Sequence, residues 1–317
     1  MSGITDAPFR KQAALFGASV VVTEMVAGDD LATGRREAVQ RLQKSSAQGP
    51  YVVQLVGREP EPMRIGALMA RESGADIIDI NMGCPSRRVT GGLSGSALMR
   101  DLDRAEMLIR AVLDGAEDVP VTLKMRLGWD WDSLNAAELS VKAEALGVQL
   151  ITVHGRTRQD FYESSANWAA IADVVSAVDI PVIANGDIVN AHTARLALKA
   201  SGAAGVMVGR AATGLAWLPS AIEDAIWNGG EIVEPPLAHQ IESLKAQSAD
   251  CIALYGDRIG IRVIRKHLSA AFDHWLSQEL RDDAPLRQLK GQACTASDLV
   301  SLNAVLNCVQ DRTLEKV

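Results

Sequence analysis

Seven short β-rich runs alternate with longer segments of helical periodicity from the N-terminus to about residue 230, and that alternation admits very few architectures. The runs are Val20–Glu24, Tyr51–Leu55, Ile77–Asn81, Val121–Met125, Leu150–His154, Val182–Asn185 and Gly205–Gly209. Most are apolar on both faces, as strands covered by helices must be, and each intervening segment is long enough for a right-handed crossover. Gly17-Ala18, Gly74-Ala75, Gly147-Val148 and Gly202-Ala203 each fall between a helical pattern and the next run, where a left-handed residue closes a helix. The expected fold is a (β/α)8 TIM barrel with a parallel sheet.

The chain opens on Ser2-Gly3-Ile4-Thr5-Asp6-Ala7-Pro8-Phe9-Arg10, which reads as the loop and helix start that follow a first strand. That strand is expected to be missing or a stub. After Glu231-Ile232-Val233-Glu234-Pro235-Pro236 the strand signal vanishes and apolar residues recur at helical spacing. The expected organisation is a barrel over residues 1–234 and a small all-α domain over 235–317.

Composition excludes several classes. With 317 residues and 48% hydrophobic content the chain can bury a large core. It holds no uninterrupted apolar run of about 18 residues, and its start lacks the basic and apolar stretches of a signal peptide. A cytoplasmic protein without a membrane partner is expected. Cys84, Cys251, Cys294 and Cys308 have no short paired spacing, so neither a metal centre nor a disulfide framework is expected. A net charge of −7 argues mildly against indiscriminate nucleic-acid binding, yet a local basic face can still hold a phosphate backbone. Arg258, Arg262, Arg265 and Lys266 stand at i, i+4, i+7 and i+8 and share one helical face; an ordinary solvated face explains them equally well.

The chemistry-bearing residues gather at the ends of the runs, where barrels place their active sites. Asp79-Ile80-Asn81-Met82-Gly83-Cys84-Pro85 closes an apolar run and puts a lone cysteine between two residues that break regular structure, a reactive position more than a structural one. Lys124 and Arg126 are two apart on one strand and project together into the barrel mouth, where two cations without acidic neighbours call for an anion. His154-Gly155-Arg156 follows the next run, with a histidine able to donate and a glycine that admits a ligand to the backbone. Asn185-Gly186-Asp187 and Gly209-Arg210 end the last two runs and lead toward helices, a frequent phosphate site. Gln54 adds an amide that can both donate and accept toward a heterocycle edge. These residues alone point to a phosphate-bearing planar cofactor and a cysteine acting as acid or nucleophile.

Taken together, the Cys84 motif, the run Gly91-Gly92-Leu93-Ser94-Gly95-Ser96-Ala97-Leu98 and the opening Met1–Arg10 segment resemble the tRNA-dihydrouridine synthases, closest to the bacterial B-type branch. The resemblance spans nearly the whole chain. It implies an FMN-binding barrel followed by a helical tRNA-binding domain, with NADPH as reductant and selected uridines of tRNA as substrate. By the same resemblance Gln54, Lys124, His154, Asn185, Gly186, Asp187, Gly209 and Arg210 surround FMN, and Met1 stands where backbone touches the flavin. Lys124 would stabilise negative charge on the reduced flavin. Cys84 would be the general acid that protonates C5 of uracil, a role that suits a thiol, which is mostly protonated at neutral pH. Asn81 and Arg126 would hold the uracil edge. Arg87 and Arg88 would contact phosphate, with Arg88 where relatives often carry a lysine, and Arg262 and Arg265 would hold tRNA phosphates. A monomer is expected. Two other readings stay open on sequence: a flavin barrel that reduces a small activated alkene, and a flavin-free protein that only binds tRNA.

Overall fold

The computed structural model describes residues 1–42, 44, 49–277 and 284–314. One parallel sheet organises it, with strands β1 (Val21–Val22), β2 (Val26–Ala27), β3 (Tyr51–Val56), β4 (Ile77–Met82), β5 (Val121–Arg126), β6 (Leu150–His154), β7 (Val182–Asn185) and β8 (Gly205–Met207). β1 and β2 both pair with β3, and from β3 onward each strand pairs with the next. The TIM-barrel-like sheet therefore has seven strand positions, and no ladder joins β8 to β1 among the described residues. Five of the seven expected runs match their strands to within a residue, whereas Gly205–Gly209 shortens to β8. Val20–Glu24 is interrupted because the Gln54 N–H donates to Thr23 Oγ1 at 3.0 Å, where an unbroken ladder would use a carbonyl. The four helix-closing glycines Gly17, Gly74, Gly147 and Gly202 all take positive φ, from 68° to 111°.

The strands are not apolar on both faces, and this difference builds the site. Val53, Leu55, Ile78, Ile80, Leu123, Met125, Ile151 and Val153 are fully buried. They face the helices, as Leu55 does where it meets Gly66 of the Pro60–Glu72 helix. The alternate positions are polar and line the concave face, in keeping with the period of two along a strand. Register stacks them in layers: Gln54 beside Asp79 beside Thr122, then Asn81 beside Lys124 beside Thr152, then Arg126 beside His154 beside Asn185.

The chain divides into two compact units, one of Met1–Ala7 with Ser19–Gly209 and the other of Pro8–Ala18 with Arg210–Val317. In the second, the helices Leu237–Tyr255, Asp257–Ser277, Ala284–Thr295 and Leu299–Leu314 bury Ile241, Ile264, Leu268, Phe272, Leu302 and Leu306 in a common core. The Ala7–Leu15 helix is tied to them: Lys11 pairs with Asp250 at 2.8 Å, Ser243 donates to Gln12 at 2.9 Å, and Phe9 stacks on His267. No helix among the described residues is long and apolar enough to cross a membrane.

Candidate active site

Cys84 lies just past the end of β4, and its peptide is clamped from both sides. Asn81 Oδ1 accepts from the Gly83 N–H at 3.1 Å and from the Cys84 N–H at 2.9 Å. The Cys84 carbonyl accepts from the Ser96 N–H at 3.1 Å and from Ser96 Oγ at 2.9 Å. Gly95 makes this second clamp possible. It has φ +61°, and a Cβ there would stand 2.8 Å from the Cys84 carbonyl oxygen and 3.2 Å from its Cβ. The two separated motifs of the sequence are thus one local structure, the second folding back to hold the cysteine of the first. Arg126 braces it from β5, its Nε–H donating to the Gly83 carbonyl at 2.9 Å and its Nη1 to the Thr157 carbonyl at 2.6 Å. Burial lowers Arg126 to about 10, against support from Tyr162, over whose ring the guanidinium sits at 5.3 Å.

Lys124 reaches across the concave face to β7, donating to Asn185 Oδ1 at 3.0 Å. Its side chain is half-buried and its ammonium is hemmed in by protein, and this loss of water draws it down to about 8. Here the structure corrects one expectation: the cations do have an acidic neighbour, because the Asp79 carboxylate acts on Lys124 and partly offsets that loss. Asp79 is itself buried, accepting from Thr122 Oγ1 at 2.6 Å and from Gln54 Nε2 at 2.7 Å. Burial raises its carboxyl to about 6 despite those bonds and the Lys124 charge. The Cys84 sulfur lies within electrostatic reach of both Lys124 and Arg126.

The ends of β6 and β7 are locked by a third arrangement. Arg156 grips Asp187 with both carboxylate oxygens at 2.7 and 3.0 Å and contacts His154 Nε2 at 3.1 Å. Asp187 also accepts from the Ala166 N–H at 2.8 Å, and the Gly186 carbonyl accepts from Trp168 Nε1 at 2.8 Å. A Cβ at Gly186 would come within 2.7 Å of the His154 ring, so only glycine lets the two strand ends close. Asn185 donates onward to the Met207 carbonyl at 2.8 Å. At Gly209 the first atom met beyond the backbone is Asn185 Nδ2 at 4.0 Å, which leaves this peptide open to close approach.

Gln54, Asn81, Cys84, Lys124, Arg126, His154, Asn185, Gly186, Asp187 and Gly209 therefore gather on the concave face and its C-terminal rim within the first unit. The Met1 carbonyl closes a turn with the N–H groups of Ile4 and Thr5. Arg87 and Arg88 are exposed on the short helix that follows Cys84. In the second unit Arg210 is exposed at the start of a 3-10 turn, and Arg262 is exposed. Arg265 is half-buried and donates to the Ala296 carbonyl at 3.2 Å, so part of its charge serves the fold. Sequence reasoning assigned no role to Asp79, Thr122, Ser96, Arg156 or Tyr162. For Asp79 the signal was present, since it stands two residues before Asn81 on the same face of one strand.

The model of the dihydrouridine synthase (Dus) family matches residues 1–312. The chain belongs to the dihydrouridine synthase family. It is 49% identical over 288 residues to a probable tRNA-dihydrouridine synthase of Rhodobacter capsulatus, a match covering 90% of this chain and 86% of that one. It is 37% identical over 302 residues to tRNA-dihydrouridine synthase B of Xanthomonas campestris, covering 95% and 89%. Among solved structures, histamine dehydrogenase from Rhizobium sp. 4-9 aligns with a TM-score of 0.52 at 12% identity, over 78% of this chain and 47% of that one. A variant of NCR from Zymomonas mobilis aligns with a TM-score of 0.51 at 13% identity, over 76% and 88%. At such identities the two structures speak to the barrel fold alone. As a member of this family the chain is a dihydrouridine synthase.

Proposed function

We propose that this dihydrouridine synthase reduces the C5=C6 bond of selected uridines in tRNA, using FMN and NADPH, with Cys84 as general acid. The observation that carries the reading is the rigidly held cysteine beside a cation-bearing concave face. The residues present fit a flavin phosphate ester. Lys124 has three N–H donors and uses one, on neutral Asn185, so the ammonium keeps capacity for an anionic ring edge. Gln54, His154, Asn185, Gly186, Asp187 and Gly209 would hold the cofactor around it. When bound, FMN supplies the hydride that adds at C6 and is itself recharged by NADPH.

The chain's own contribution is binding, orientation and one proton. Cys84 Sγ gives its proton to C5, completing the addition of a hydride and a proton across the double bond, and the thiolate is reprotonated from solvent. The remaining N–H of Asn81 would serve a uracil carbonyl, whereas Arg126, 1% exposed and already bonded to the Gly83 and Thr157 carbonyls and to Tyr162, would act by bracing the Cys84 loop rather than by touching the base. A uridine in tRNA must leave its stack to reach this face, and the exposure of Arg87 and Arg88 in the first unit and of Arg262 in the second supports a role for each in phosphate contact. The test is Cys84→Ala assayed on tRNA lacking dihydrouridine. Product formation should fall by about a hundredfold or more, as for loss of a general acid. Unchanged turnover by the variant sinks the assignment.

A further inference from the structure

Asp79 is tied to Cys84 by an unbroken chain of side-chain hydrogen bonds. Asp79 Oδ2 accepts from Gln54 Nε2 at 2.7 Å, Gln54 Oε1 accepts from Asn81 Nδ2 at 2.8 Å, and Asn81 Oδ1 accepts from the Gly83 and Cys84 N–H groups. Parallel register brings these residues together, with Gln54 opposite Asp79 and Asn81 two residues further along the same face. Asp79 is 5% exposed, Gln54 5% and Asn81 9%, so water does not compete for the bonds.

An amide side chain can be turned over, exchanging its oxygen for its NH2, at almost no cost in shape. An ionised carboxylate has no such choice, because it only accepts. Facing Asp79, Gln54 must present Nε2, which leaves Oε1 toward Asn81. Asn81 must then present Nδ2, which leaves Oδ1 toward the Cys84 peptide. We propose that Asp79 is a positioning residue that sets the orientation of both amides and through them holds the Cys84 loop in its proton-donating place. Without it, Gln54 and Asn81 can turn over together, so that Asn81 presents its NH2 to the two backbone N–H groups its oxygen now satisfies and expels the loop. The bond from Thr122 Oγ1 to the other oxygen keeps the carboxylate from rotating out of line.

This inference rests on the proposed function for its effect on turnover, but the geometry can be read without activity. Asp79→Leu removes the acceptor, whereas Asp79→Asn can keep an oxygen toward Gln54 if Thr122 accepts from the new NH2. With full-length protein, single-turnover reduction of tRNA should slow by about thirtyfold in Asp79→Leu, the value of two lost orienting bonds, with little change in tRNA affinity. Asp79→Asn should restore it to within about threefold of the parent. If Asp79→Asn is as slow as Asp79→Leu, the carboxylate works through its charge on Lys124 and the relay is wrong.

The second measurement is the iodoacetamide alkylation rate of the Cys84 peptide, followed by mass spectrometry, in the parent, Asp79→Leu, Asn81→Ala and the double variant. Alkylation should rise by about fivefold or more in each single variant, and Asp79→Leu should add nothing once Asn81 is gone. Additive effects overturn the proposal. A parent that makes no dihydrouridine but shows this coupling would refute the proposed function while leaving the relay intact. Circular dichroism and melting temperature identify any variant that has not folded, in which case Gln54→Leu breaks the same relay one link later and must reproduce the coupling with Asn81.

Discussion

Replacing Lys124 by methionine should make the flavin-stripped protein more stable while disabling it. Methionine matches the aliphatic stem in length and lacks the charge. In the fold, loss of water lowers the ammonium from its ordinary 10.5 to about 8. That displacement corresponds to a destabilisation of about 3 kcal/mol whenever the group is charged in both the folded and unfolded chain. Residual solvent contact reduces the net gain to roughly 2 kcal/mol; the attraction of Asp79 is already contained in the displacement. The sign follows from proton counting. Below pH 8 both states hold the proton and the full cost is felt; between 8 and 10.5 the folded chain has already released it; above 10.5 the cost is gone. Urea melts of the parent and Lys124→Met at pH 7, 8.5 and 10 measure the difference. It should be largest at pH 7 and shrink steadily, while flavin binding is lost at every pH. A variant less stable than the parent at pH 7, or a difference independent of pH, refutes the reasoning.

Two further perturbations follow from the geometry. Gly95→Ala places a methyl group 2.8 Å from the Cys84 carbonyl at a residue with φ +61°, so it should cost about 2–4 kcal/mol in chemical melts and slow the single-turnover rate more than it weakens tRNA binding. In the second unit, Arg262→Gln should reduce tRNA affinity and lower the salt slope by about one, whereas Arg265→Gln should chiefly lower melting temperature, losing a bond to the Ala296 carbonyl worth about 1 kcal/mol. Filter binding across a salt series separates the two; equal slopes for both variants would show that Arg265 also meets phosphate.

Much of the architecture was legible because its signals are local. A helix must end on a left-handed residue, and Gly17, Gly74, Gly147 and Gly202 all do so. Short β-rich runs set between helical patterns placed β3 to β7 to within a residue, although the polar alternation on their concave side emerged only in the fold. The pairing of the Cys84 motif with the Gly91–Leu98 run likewise marked the family, although not the reason the two travel together. That reason is spatial: Ser96 returns to hold the Cys84 carbonyl, twelve residues back.

The chain's one-dimensional pattern determined the repeat of strand and helix, the position of Cys84 past β4 and the polar residues at the strand ends. Only the folded structure decided that Asp79 faces Gln54, that Lys124 reaches Asn185 two strands away, and that Arg265 turns back onto Ala296 while Arg262 stays in water. Periodicity reports which face a side chain occupies. Which partner it finds on that face depends on the register between strands and on how far the concave sheet brings distant side chains together, and neither is written in any single segment.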